Sequence, residues 1–529
     1  MENPTYKLSN IPPALPGHKA QRKHGTALTE EMIASFPAVD PHVHVPGTIS
    51  PKTAWDLGLR NGLIHMEKQE GKWRVVDGPN RIGSTDPVQY YSHLFTSKGG
   101  HELTYDREGN PLDLDYNYAC LGEGHDKFQG FDAIQGTTQG HRHRPGGIEN
   151  EDDYRFVMQR YLESCLAQNL IYVEPSQNIT IAQVLYPDLE PKEARKKFFH
   201  LAQEITEEFA AKGVTLRFTH CANKTGAANV PGSLKQRAGE WVDWLAEAQA
   251  EVPGVFVGMT TAGHEGLEIK SGGPDAMSEA YLRLPALGMR GEGHYGEGAG
   301  VEHLDRALER LHLDRLAHSV QMIESPEVIQ KIHDRNIPVV MMPYINLSLG
   351  TTVHLKDGTP HTKYDLDKVS REEIRNTDLQ KLSELPRDAG VEKVYIQKFE
   401  RHPFFTLLRD HHLPIAIASD DPQQGGIDYK DQIRLLAGFD VEDIDRRPVQ
   451  RRGFQPLTAE ELVICNLNAV HAAFCEEPVK QQLVEKIAEW AKMHHIKVEH
   501  PLLPPEQKQG WSARIQHYAP TGKSEIKIQ

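Results

Sequence analysis

Short runs of apolar and β-branched residues recur along the chain, separated by stretches whose apolar positions repeat every three or four residues. The runs cover 38–45, 170–176, 214–221, 255–263, 286–295, 315–320, 337–345 and 413–420. They read as candidate strands. Between them, Phe198, Phe199, Ala202, Ile205 and Phe209 share one helical face, as do Trp241, Val242, Trp244, Leu245 and Ala248. Shorter helical patterns fall in EHLDRALERLH, SPEVIQKIHDR and HPFFTLLRDHH. Eight strand–helix alternations without a run of hairpins predict an α/β fold with a parallel sheet, closed as a TIM (β/α)8 barrel; a doubly wound open sheet is the alternative.

Two segments interrupt this rhythm, about 60–150 after the first strand and about 351–400 after the seventh. Each follows the C-terminal end of a strand, so each is expected over the barrel mouth as a lid, a homo-oligomer contact or plain surface decoration. The expected domain layout is an N-terminal arm at 1–30, a barrel at 31–495 and a tail at 496–529. An amphipathic helical extension should begin after Glu476, with Val479, Leu483, Val484, Ile487 and Trp490 on one face.

Composition narrows the partners. The chain has 529 residues, 38% of them hydrophobic, and a net charge of −15, which argues against broad nucleic-acid or anionic-membrane binding. Its five cysteines are scattered and lack a CxxC pair, as expected of reduced thiols in the cytoplasm. Neither a secretory signal nor a transmembrane stretch is legible.

Candidate chemistry sits at the strand ends. His42 and His44, in VDPHVHVPG, are two apart on a strand and so face one side, where both imidazoles can reach one metal ion. A second such pair, His141 and His143, lies in a Gly/Pro-rich stretch and reads as a solvated loop. His294 closes the fifth strand, and Glu297 follows after a glycine that lets the chain turn. His318 closes the sixth strand; alone, it would read as a satisfied core histidine. Asp420 and Asp421 follow the apolar run LPIAIA of the eighth strand, where an ordinary turn is the bland reading. Their joint placement on one face of one barrel is what gives these residues weight.

The motifs HVHVPG, TTAGHE, GHYGEG, RLAHSV, MPYINLSLG, HPFFTLLRD and ASDDP, in this order, resemble those of the adenosine deaminase family of metal-dependent amidohydrolases, and NLNAVHAAFCEEPVKQQLVEKI resembles its closing segment. The resemblance runs from about residue 30 to about 495, interrupted by the two insertions. It implies one zinc ion per chain, bound by His42, His44, His294 and Asp420. It further implies that Glu297 protonates a purine ring nitrogen, that His318 orients and deprotonates the zinc-bound water, and that Asp420 belongs to the catalytic group. Asp421 and the backbone at Gly263 would hold the purine. The implied activity is hydrolytic deamination of an aminopurine nucleoside or nucleotide, a small-molecule substrate, with release of ammonia. The chemistry is coherent: zinc lowers the pKa of bound water to about 7, and protonating the ring stabilises the addition intermediate.

One position departs from the family. An acidic residue that contacts ribose commonly follows the HxH pair by two positions, and here Pro46 stands there. The substrate therefore stays open among base, nucleoside, nucleotide, N6-modified purine and a non-purine amine. Lys127, Arg142 and Arg144 are phosphate candidates, although solvated surface charge is their plainer reading. An amidohydrolase with two metals would need a bridging lysine at the end of the fourth strand, which reads VFVGMTTAGHE. The HxE…PCxxC signature of nucleic-acid base editors is absent. A non-catalytic purine-binding scaffold is the remaining alternative.

Overall fold

The computed structural model describes residues 25–78, 90–118, 127–139, 146–224, 233–349, 351–356, 391–395, 402–439, 441, 455–498 and 500. Its centre is a parallel sheet of eight main strands: β1 (Ala38–His44), β2 (Leu170–Gln177), β3 (Phe218–Asn223), β4 (Phe256–Ala262), β5 (Arg290–Tyr295), β6 (Arg315–His318), β7 (Val339–Met341) and β8 (Ile415–Ile417). Each pairs with its neighbour in chain order. Every residue of β1 and β2 is buried, because side chains fill the barrel on one face and helices cover the other.

The sheet closes on itself at one place. Val43 bridges Asp420, with the Asp420 N–H donating to the His42 carbonyl at 3.1 Å and the His44 N–H to the Asp420 carbonyl at 2.8 Å. The first and last strands thus meet where two histidines and an aspartate of the expected metal set stand.

The outer helices follow the apolar stripes read from the sequence: Pro191–Ala211, Ser233–Glu251, Val301–Arg310, Pro326–Asp334 and Phe404–Arg409. Local signals set several boundaries. Ser325 accepts the Val328 N–H and opens the helix before Pro326. Thr458 and Glu461 form a reciprocal capping box at the start of Ala459–Ala472. Phe198, Phe199 and Phe218 gather around Phe256, at centroid distances of 6.2, 5.6 and 5.6 Å, and tie helix to sheet. The C-terminal extension forms as Glu477–Met493.

The expected strand limits shift in three places. The third run is broken at Arg217, with Thr215–Leu216 pairing β2 before β3 begins. The fifth starts later, because 285–287 form a 3-10 turn ending at Gly288. The seventh run overshoots, since Pro343–Leu349 is helical although apolar.

The first insertion contains the hairpin Ile64–Gln69/Lys72–Asp77, two small strand pairs and the helix Lys127–Gln139. It does reach the barrel mouth: the Tyr116 hydroxyl donates to the Ile49 carbonyl at 2.7 Å, and the Tyr118 hydroxyl donates to the Gln424 carbonyl. The second insertion is described only as the antiparallel strand pair Thr352–Lys356/Val391–Tyr395. The pair His141/His143, Arg142, Arg144, the side chain of Lys127 and the tail beyond residue 500 lie outside the described residues. Among the described residues no helix is long and apolar enough to cross a membrane, and four cysteines are free thiols.

Candidate active site

Strand parity turns His42 and His44 inward from β1, and Glu292 and His294 inward from β5. The outer nitrogen of each imidazole is held. His42 Nδ1–H donates to Glu292 Oε1 at 2.8 Å, His44 Nδ1 lies 2.8 Å from Ser176 Oγ and 3.6 Å from Cys221 Sγ, and His294 Nδ1 lies 3.3 Å from Thr260 Oγ1. All three Nε2 atoms are left facing one point. His44 Nε2 is 3.2 Å from His294 Nε2, and Asp420 Oδ1 is 3.3 Å from both His42 Nε2 and His44 Nε2. The four ligand atoms lie within 4.8 Å of one another, and all four residues are buried.

This group fits a divalent metal. A carboxylate can only accept, so Glu292 fixes the His42 proton on Nδ1 and leaves a lone pair on Nε2. His42 Nε2 and Asp420 Oδ1 are buried without a hydrogen-bond partner. Lone pairs this close repel unless a cation stands among them. Tetrahedral bonds of about 2.0–2.1 Å would set ligand atoms roughly 3.3 Å apart, which the His44–His294, His42–Asp420 and His44–Asp420 spacings match. Charge is shared unevenly among the imidazoles: burial opposes charge on His42 but Glu292 and Asp420 push it up to about 9, whereas burial, then the neighbouring His42 and His318, hold His294 well below the ordinary histidine pKa, so the His294 imidazole is neutral. Burial opposes charge on Asp420, but His318 and the two β1 histidines hold its carboxyl well below the usual range.

Asp420, His318 and Ser319 adopt left-handed backbone conformations, with φ of 62°, 60° and 50°. Such conformations cost energy in non-glycine residues and concentrate at functional sites. His318 Nε2 is 3.8 Å from Asp420 Oδ2, and His318 Nδ1 is 3.5 Å from Glu297 Oε1. A relay fixes the His318 ring. The Phe404 N–H donates to His402 Nδ1 at 3.1 Å, leaving His402 Nε2–H to donate to Asn346 Oδ1 at 3.1 Å, and Asn346 Nδ2 donates to His318 Nδ1 at 3.0 Å. Burial, with His318 beside it, pushes His402 down to about 3, so it stays neutral in this chain.

The structure thus brings His42, His44, His294, Asp420, His318 and Glu297 together at the C-terminal end of the barrel. Gly263 follows the last residue of β4 with φ 104°, a conformation open to glycine. Asp421 stands against Gly47, where an added Cβ would sit 2.1 Å from Asp421 Oδ1 and 2.5 Å from its Cα. Gln135, from the first insertion, donates to Asp421 Oδ1 at 2.9 Å and to Gln424 Oε1 at 3.2 Å. Gln424 in turn donates to the Pro46 carbonyl at 3.4 Å.

Several participants were not singled out from the sequence: Glu292, Thr260, Ser176, Asn346, His402, Gln135 and Glu265. Glu292 had a readable signal, since it precedes His294 by two and shares its face. The Glu265 carboxylate accepts the backbone N–H groups of Gly296, Glu297, Gly298 and Ala299, at 2.8, 3.1, 2.5 and 2.9 Å.

Comparison with known proteins agrees with this geometry. The family model for adenosine deaminase matches residues 141–377. An adenine deaminase of Bordetella avium is 32% identical over 334 residues, which cover 62% of this chain and 80% of that protein. Among solved structures, a zinc-bound amidohydrolase of Burkholderia ambifaria superposes with a TM-score of 0.55 at 16% identity, covering 92% of this chain and 99% of that one. The N6-methyl-AMP deaminase of Arabidopsis thaliana gives a TM-score of 0.51 at 14% identity, covering 88% and 99%. At such identities the structural likeness speaks for the barrel, and the sequence likeness for the lineage. The chain belongs to the adenosine deaminase family and is a hydrolase of carbon–nitrogen bonds.

Proposed function

We propose that the protein is a zinc-dependent hydrolytic deaminase of an adenosine-like aminopurine nucleoside or nucleotide, with one zinc per chain held by His42, His44, His294 and Asp420. The observation that carries this reading is the convergence of three histidines and an aspartate with a carboxyl, Glu297, and a further imidazole, His318, at one barrel mouth. When bound, zinc supplies a Lewis acid that brings the pKa of water to about 7. A single metal is favoured because β4 ends in Thr260-Thr261-Ala262, and the buried Lys224 is engaged by Glu268 at 3.0 Å.

The residues divide the work. His318 accepts the Asn346 N–H at Nδ1, so its neutral form carries a proton on Nε2 and donates it in a hydrogen bond to the attacking water. The geometry thus favours orientation over deprotonation for His318. Asp420 Oδ2, on the same side, takes the water's proton and returns it to the departing amine. Glu297 donates a proton to the ring nitrogen beside the attacked carbon, which keeps negative charge from building up on the purine, and it is reprotonated by the hydroxyl proton released as the amine departs and the carbonyl forms. Asp421 and the Gly263 backbone hold the ring.

A free aminopurine base is the second reading. Gln135 and Gln424 fill the side next to Pro46, where the family's ribose contact is missing, and the Bordetella relative is an adenine deaminase. The test is ammonia release by zinc-loaded protein on adenine, adenosine, AMP and their N6-methyl forms. Turnover of any one of these, lost in Glu297→Gln, supports deamination, and the preferred substrate chooses between the readings. Near-normal turnover by folded, zinc-loaded Glu297→Gln would sink the assignment.

A further inference from the structure

The helix Glu265–Lys270 faces the chain segment that leaves β5. Glu265 is 4% exposed, and both of its carboxylate oxygens are spent on backbone N–H groups of one turn. Gly296 enters that turn with φ 71°, which lets successive N–H groups converge on one point. Converging amides form a cradle for an anion, and here the chain supplies the anion itself. Glu268, three residues on, grips the other end. It accepts the Tyr295 hydroxyl at 2.9 Å, lies 3.1 Å from His303 Nε2 and pairs with Lys224 Nζ at 3.0 Å. Lys224 also donates to the carbonyl of His294.

We propose that Glu265 is a positioning residue for the reaction: it touches no reacting atom, but by clamping the peptides of Gly296–Ala299 it sets where the carboxyl of Glu297 stands. The proposal rests on the reading of Glu297 as the proton donor. The peptide that Glu265 holds at 3.1 Å is the one that carries this side chain, so a displaced turn carries the carboxyl with it. Misplacement of a reacting group by about 1 Å costs about 10²-fold in rate.

Amide hydrogen exchange of the wild-type protein is the first measurement. Protection at Glu297, Gly298 and Ala299 is expected, and exchange as fast as an open loop overturns the proposal without any variant. Glu265→Gln then keeps one acceptor oxygen and turns an NH2 group toward an N–H donor. Zinc per chain should be unchanged, kcat should fall about 10²-fold, and KM should stay within about threefold, the signature of an interaction that matters in the transition state. Glu265→Asp, which keeps the charge but shortens the reach, should fall between the two and serves if Glu265→Gln does not fold. In a Glu297→Gln background the same change should add little, because the two act as one unit. Wild-type kcat in both Glu265 variants, or a loss in kcat that adds fully to that of Glu297→Gln, overturns the positioning role and leaves the deaminase reading standing. Wild-type turnover in Glu297→Gln removes the acid itself, and the positioning role with it.

Discussion

Glu292 joins two environments through one carboxylate. Oε1 receives His42 Nδ1–H at 2.8 Å, while Arg315 approaches with Nε at 3.0 Å from Oε1 and Nη2 at 3.2 Å from Oε2. Burial alone would raise its pKa, but Arg315 and His42 hold it well below the ordinary value, so it stays an anion and the His42 proton stays on Nδ1. Glu292→Gln can turn an NH2 group toward His42 and disturb that tautomer. Zinc affinity, measured by competition with a chromophoric chelator, should fall about 10–100-fold; an unchanged affinity would show that Glu292 does not set the tautomer. At this scale the sequence was legible for residues that announce themselves by type and by place at a strand end, such as His42, His294 and Asp420. Glu265 and Gln135 were silent because their partners are backbone amides or side chains far along the chain, and a single sequence carries no trace of either pairing.

Elements were legible to the extent that burial writes a pattern. Buried strands make continuous apolar runs and outer helices make stripes, so the alternation of strand and helix could be read directly, while closure as a barrel rather than an open sheet leaned on the motifs at the strand ends. The run at 337–345 misled because Pro343–Leu349, packed under the first insertion, is as apolar as the strand before it. The helix Lys127–Gln139 left no stripe to read: its sequence, KFQGFDAIQGTTQ, spreads two glycines and polar residues around every face. Yet this helix carries Gln135 to Asp421. Removing the donor with Gln135→Ala should leave zinc content intact and change KM more than kcat, since it bears on where the substrate rests rather than on proton transfer. It should also shift the ratio of adenine to adenosine turnover. Steady-state kinetics on both substrates checks this, and an unchanged ratio would mean that the insertion does not shape selectivity.

For the whole molecule, buried charge ties stability to pH. Burial alone would raise the Glu268 pKa, but Lys224 and His303 hold it below its usual 4.5. A carboxylate depressed in the folded state stabilises fully above its unfolded pKa, and that contribution disappears as pH falls through the folded value. The melting temperature should therefore decline as pH drops below that usual 4.5. Glu268→Gln, which leaves Lys224 buried without its countercharge, should cost about 3–5 kcal/mol near neutrality and differ less from wild type in acid. Melting curves from pH 3 to 8 decide this, and a pH-independent gap would contradict the linkage.

Chelation should also lower the melting temperature, since an ion bound only by the folded state stabilises it by mass action. The place of the loss follows from the barrel's closure, where Asp420 exchanges two backbone hydrogen bonds with His42 and His44. The residues expected to hold the ion are the stitches of the seam between the first strand and the last. A ring of strands fastened there is a bracelet with a metal clasp. With the ion withdrawn, exchange of the His44 and Asp420 amides should quicken before that of the strands opposite, and the cylinder should relax toward an open ribbon along this one line.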